Sequence, residues 1–237
     1  MPGFWSRIVP QRVFFHSLLQ SSYTYPVSKD LLASATFNFV NPRHHIVSTD
    51  RVSQVIPASA TAGLSDEEIL SLFTSGFFGG FVFRLESWVL RICGASLLPA
   101  RYTGFHPASQ AVAIRRPSDI PGTRLLPVGS SFFSSFLLVD KHVAEPSDAN
   151  SSHVDHGFGS DESMFAGCHR FRVTRLPSVA ETTGQGEGRD SQIRIDLEHF
   201  RCNPQKNVPS WAEHIETFHY IYAKSLFAKG IQALLSR

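Results

Sequence analysis

The chain has 237 residues, 42% of them hydrophobic, with twenty phenylalanines and a formal net charge of +2. That length suits one domain with extensions, and the near-neutral balance with scattered basic residues argues against a nucleic-acid partner. Three cysteines without CxxC spacing fit free thiols in a reducing compartment better than a disulfide scaffold.

Residues 1–49 carry Arg7, Arg12, Lys29 and Arg43 against a single acid, Asp30, with frequent serines. Such a composition reads as an N-terminal extension, either disordered or a mitochondrial transit peptide. The folded domain is then expected over 50–237, in the cytoplasm, or in mitochondria if the basic N-terminus is a targeting signal. Asp50–Pro57 alternates and predicts the first strand. Ser65 with Glu68 makes a capping box ahead of Ile69, Leu72 and Phe73, predicting a helix over 64–74. The glycine-rich GFFGGF that follows has no phosphate-loop spacing. A second helical stripe runs through Leu85, Trp88, Val89 and Ile92. The most apolar stretch contains Arg84, Glu86 and Arg91, which excludes it as a comfortable membrane span.

Arg101–Arg124, rich in proline and glycine, predicts a loop with one short strand at Ala111–Ile114. The run SSFFSSFLLVD within Leu125–Asp140 predicts a buried strand, Lys141–Ser152 a polar connection, and His153–Gly159 a short strand or turn. FAGCHRFRVTRL places His169, Phe171 and Val173 on one face and Arg170, Arg172 and Thr174 on the other. SQIRIDLEHF places Ile193, Ile195, Leu197 and His199 opposite Arg194, Asp196 and Glu198. Strict alternation predicts two strands with one buried face, joined by a hairpin loop and paired with each other. The arginines and acids are expected to form a solvated charged ladder on the face away from the core. Ser210 with Glu213 makes a second capping box, and Trp211, Ile215, Phe218, Tyr222 and Leu226 follow at helical spacing. They predict a long amphipathic C-terminal helix, weakened near its end by Gly230.

The element order, together with the Ser65–Arg91 helix region, HGFGSDESMFAGCHRFRV and IRIDLEHFRCNP, resembles the helix-grip superfamily of START, birch-pollen-allergen and polyketide-cyclase-like proteins, in an uncharacterised branch. The resemblance covers residues 50–237. It implies an α+β fold: a curved antiparallel sheet gripping a long C-terminal helix, with a helix pair inserted after the first strand. It also implies an apolar small molecule (polyketide-, terpenoid- or lipid-like) bound in a cavity between sheet and helix, with cofactor-free cyclisation, dehydration or isomerisation as the chemistry.

On that reading His169 and His199, both on the apolar face, act as acid and base for enolisation, and Tyr222 offers a hydroxyl to the cavity. Phe171, Ile195, Leu197, Trp211 and Phe218 line it. The alternative for both histidines is a core position with a bond to neighbouring backbone. For the whole protein, the alternatives are a non-catalytic lipid or metabolite carrier, or an interaction module whose core is filled. His153, Asp155, His156, Cys168 and His169 lie close in sequence, but HVDH suits neither a strand face nor a helical ligand pair, so no metal and no cofactor are expected. No GxSxG elbow is present. Oligomeric state is left open by the sequence.

Overall fold

The computed structural model describes residues 5–80, 99–145, 151–176, 191–209 and 216–236. Its centre is an open, curved sheet of eight strands, mostly antiparallel, in an α+β fold with a C-terminal helix. Strands β1 (Ser22–Thr24), β2 (Val47–Pro57), β3 (Ala113–Ile114), β4 (Ser131–Phe132), β5 (Phe136–His142), β6 (Ser152–Gly159), β7 (Ala166–Leu176) and β8 (Gln192–Cys202) take the spatial order β1-β2-β8-β7-β6-β5-β4-β3. The β3–β4 pair is parallel, and the other strand pairs among the described residues are antiparallel. The two strongest sequence patterns form the β7–β8 pair in the middle, with Phe171 opposite Leu197 and Val173 opposite Ile195. Pairing in that register keeps Phe171, Val173, Ile193, Ile195 and Leu197 on one face.

That first face is covered by α4 (Asp66–Gly79) and α5 (Glu216–Leu235). The Ser65–Glu68 capping box forms as the sequence predicts, and α4 rests on β6 and β7. Phe73 and Phe77 of this helix meet Phe171 edge-on or tilted, with ring centroids 5.0 and 4.8 Å apart. Helix α5 packs beside α4 and reaches the sheet at β2, while α1 (Trp5–Gln20) lies against its outer side. Leu226, Phe227, Ile231 and Leu234 carry its buried stripe. The second helix expected after the first strand, and the Ser210 capping box, lie outside the described residues. Among the described residues no helix is long and apolar enough to cross a membrane.

The opposite face corrects one expectation. Arg170, Arg172, Asp196 and Glu198 do share that face, but they are buried, with Arg170, Asp196 and Glu198 each 1% exposed. Residues 22–41, set apart by their composition as an extension, supply the cover. β1 pairs with β2, while α2 (Lys29–Leu32) and α3 (Ala35–Val40) lie over the sheet. Leu31, Phe37 and Val40 close a second core on Ala166, Cys168, Phe200 and Cys202. The charges are matched under this layer. The Arg170 fork donates to both oxygens of Asp155 at 2.6 and 2.7 Å, and Arg172 donates to Glu198 at 3.1 Å and to Asp30 at 2.6 Å. A solvated ladder needs open water on that face. The short N-terminal helices remove it. Cys168 and Cys202 are buried free thiols here, pushed above their ordinary range by that burial, so neither is poised as a nucleophile.

Candidate active site

On the first face one transverse row of the sheet is polar. In register, His156 of β6 lies opposite His169 of β7, His169 opposite His199 of β8, and His199 opposite Asp50 of β2. Each position follows from alternation: Asp50 shares its strand face with Val52, Gln54 and Ile56, as His199 does with Ile193, Ile195 and Leu197. His219, near the start of α5, completes the row from above. Asp50 Oδ2 accepts from His199 Nδ1 at 2.8 Å and from His219 Nε2 at 2.9 Å. Arg201, two residues beyond His199 on the same strand face, brings Nη1 to 3.6 Å from the same oxygen.

The electrostatics of this group follow from its burial. Asp50, His199 and Arg201 are all at most 5% exposed, and the His219 side chain keeps 17%. Burial alone would raise the Asp50 carboxyl, but the charge and hydrogen bonds supplied by His199 and His219 hold it well below the usual carboxylate range. For His199 the larger effect is desolvation, which lowers its pKa in spite of Asp50. Near neutral pH the group is therefore an ionised carboxylate beside a neutral imidazole. An ionised carboxylate only accepts, so His199 carries its proton on Nδ1 and presents the lone pair of Nε2. Asp50 Oδ1 and the Nε and Nη1 groups of Arg201 are buried without a hydrogen-bond partner in the structure.

Aromatic rings frame the row. His169 stacks on His199 with centroids 4.8 Å apart, and Phe158 lies nearly parallel to His199 at 5.7 Å. Phe158 reaches there because its neighbour across the strands is Gly167. A Cβ on that glycine would stand 2.3 Å from the Phe158 ring.

Of the residues the sequence nominates, His169 and His199 are brought together, facing the helices as expected. His169 is partly buried among the rings of Phe77, Phe136, Phe158 and His199, and desolvation pushes its pKa well below normal. Tyr222 is partly buried and packs against the core. Phe171, Ile195 and Leu197 are at most 1% exposed and serve as core. Trp211 and the Phe218 side chain lie outside the described residues. Two members were missed. Asp50 had a signal, an acid on the apolar face of an alternating strand. His219 had none beyond its place on the last helix. No protein-family model, curated protein or solved structure matches the chain.

Proposed function

We propose that the protein is an enzyme that moves protons on a small, largely apolar, oxygen-bearing molecule at the Asp50–His199–His219 centre. The observation that carries this reading is the single carboxylate oxygen holding two histidines from different elements, 2.8 and 2.9 Å away. In this reading Asp50 fixes the tautomer and orientation of His199, whose Nε2 takes a proton from the substrate, as an aspartate does for a catalytic histidine. The His199 imidazolium then returns that proton from Nε2 to another atom of the substrate, while His219 keeps the second hydrogen bond on Asp50. The flat faces of Phe158 and His169 beside His199 suit a polyketide-, terpenoid- or lipid-like molecule, in keeping with the resemblance to helix-grip proteins.

A second reading, an interaction module with a filled core, is favoured by a different observation. Between the sheet and α4, Phe73, Phe77, Phe78, Phe132 and Phe171 are all buried. A void there, lined by Ser71, Thr74, Leu138 and His156 among others, measures about 10 Å³, room for about one water.

Native mass spectrometry of the protein from its own source, followed by extraction, separates the two. A retained oxygenated compound that wild-type protein converts in the presence of a chelator, and that His199→Ala converts about 100-fold more slowly or worse, supports the enzyme. A compound held but unchanged would point to a carrier. Bare chain, with an unaltered fold in His199→Ala, would leave the interaction module.

A further inference from the structure

We propose that Asp50, His199 and His219 form a loading site for one divalent cation of the zinc class. The inference rests on the preceding reading only in taking these three residues as the working centre. One ligand atom from each lies within 4.8 Å of the other two. Two imidazole nitrogens with one carboxylate oxygen is the donor set that zinc and its neighbours Co2+, Ni2+ and Fe2+ accept, whereas magnesium and calcium prefer oxygen shells. The donors come from β2, β8 and α5. Two of them are fixed in the sheet, and the third sits near the start of a helix.

The fit is close. Tetrahedral zinc with bonds of about 2.0–2.1 Å places its ligand atoms about 3.3 Å apart. The present nitrogen–oxygen separations of 2.8 and 2.9 Å would open by about half an ångström. Loading shifts the proton of His199 from Nδ1 to Nε2, so the loaded centre no longer offers the Nε2 lone pair, and His219 turns the nitrogen of its Asp50 bond to the metal. Asp50 Oδ1, buried and unpartnered, is free to become a second carboxylate ligand or to bond a metal-held water. His199 is braced in the orientation required by His169 stacked on one side and by Phe158. A second group of possible ligands, Asp140, His153 and Asp155, does not compare. Both oxygens of Asp155 already accept from Arg170, and Thr36 donates to one of them at 2.6 Å.

Arg201 supplies a discriminating readout. Its guanidinium stands 3.6 Å from Asp50 Oδ2 and opposes a second cation there. Removing that charge should therefore tighten metal binding, an effect that a purely structural cluster would not show.

The test uses the full chain, stripped with a chelator and titrated with Co2+ and then Zn2+. Wild type is expected to take up one equivalent of Co2+, with the visible bands of a tetrahedral site, and to release it to Zn2+. His219→Ala should weaken uptake about 100-fold and His219→Cys, which restores a zinc ligand, should recover most of it. Arg201→Gln should tighten uptake about tenfold. Wild-type protein that takes up no metal, or uptake that His219→Ala leaves unchanged, overturns the proposal. The two failures are separable: chelator-resistant turnover lost in His199→Ala without metal uptake keeps the proton-transfer reading and removes the cation. Metal uptake with unaltered turnover in His199→Ala does the reverse.

Discussion

His156 occupies the β6 end of the polar row and has a different character from His199. Its ring is enclosed by Phe78, Phe132 and Phe171, with centroids 5.1, 5.1 and 4.9 Å away. Both ring nitrogens are buried without a hydrogen-bond partner, beside the small void that reaches Ser71 and Thr74. Desolvation pushes its pKa down to about 3. A histidine with a depressed folded pKa binds its proton more tightly in the unfolded chain. Its contribution to stability is therefore complete above the unfolded value of about 6.5 and is lost as pH falls towards the folded one. Across that window the slope for one such site is about 1.4 kcal/mol per pH unit. His156→Leu, which is shaped for the same apolar box, should remove one proton's worth of slope from urea-unfolding stability between pH 6.5 and 4.5. By pH 4.5 the substitution should have gained about 3 kcal/mol relative to wild type, beyond any difference at pH 7.5. Parallel pH profiles for the two proteins would show that His156 is protonated in the fold.

At the scale of the elements, the α4–α5 crossing is set by two glycines. A Cβ on Gly76 would lie 2.5 Å from both the Ala233 Cβ and the Lys229 carbonyl oxygen, and one on Gly230 would lie 2.5 Å from the Phe73 ring. Gly230 thus permits close helix contact at the place where its low helix propensity alone predicts weakening. Gly76→Ala gains up to about 1 kcal/mol of helix propensity but drives a methyl into backbone and a fixed Cβ, for which about 1–3 kcal/mol is lost. The net expectation is a Tm lowered by a few degrees. Gly79→Ala in the same helix, where the Cβ meets only ordinary contact with Pro117 at 3.7 Å, should leave Tm unchanged or raised. Equal shifts for the two variants would refute close packing at the crossing.

These elements also mark how far the sequence could be read. Alternation in β7 and β8 announced which side chains share a face, and a single buried face made their pairing readable. The capping box at Ser65 announced the start of α4. Period two does not say which face is covered, however, so alternation alone places the arginines of β7 in water. Their cover comes from α2 and α3, four and six residues long, too short to carry an amphipathic signature. The site was legible only in part for a similar reason. His169 and His199 are neighbours on strands close in sequence, whereas the Asp50–His219 bond joins residues 169 positions apart. No local pattern reports which residue of a distant helix will meet a strand.

For the whole molecule, the decisive relation is between the sheet and the first forty-odd residues. Ser28 donates to Glu198 through both its backbone N–H and its hydroxyl at 2.8 Å, and Asp30 accepts from Arg170 at 2.9 Å and from Arg172 at 2.6 Å. Thr36 donates to Asp155, and Ser53 of β2 donates to Asp196. Stripping the N-terminal segment would expose Phe200 and Cys202 while leaving the arginine–carboxylate pairs without their hydroxyl partners and part of their counter-charge. It would also remove α1 from the outer side of α5. A buried ion pair deprived of one partner is destabilising by about 3–5 kcal/mol, a large share of the stability of an ordinary domain. Arg170→Met should therefore cost about 3–5 kcal/mol in urea unfolding, whereas Arg170→Met combined with Asp155→Leu should recover most of it, because no charge is then left unpaired. Asp30→Asn, at a side chain 55% exposed, should cost no more than about 1 kcal/mol. A chain beginning at Ile46 is expected to lose its cooperative melt and to bind a hydrophobic dye at room temperature. If that shortened chain instead melts cooperatively within two or three degrees of the full one, residues 1–45 are a dispensable extension after all. The charged face of β7 and β8 would then have to tolerate water in the way its alternation alone suggests.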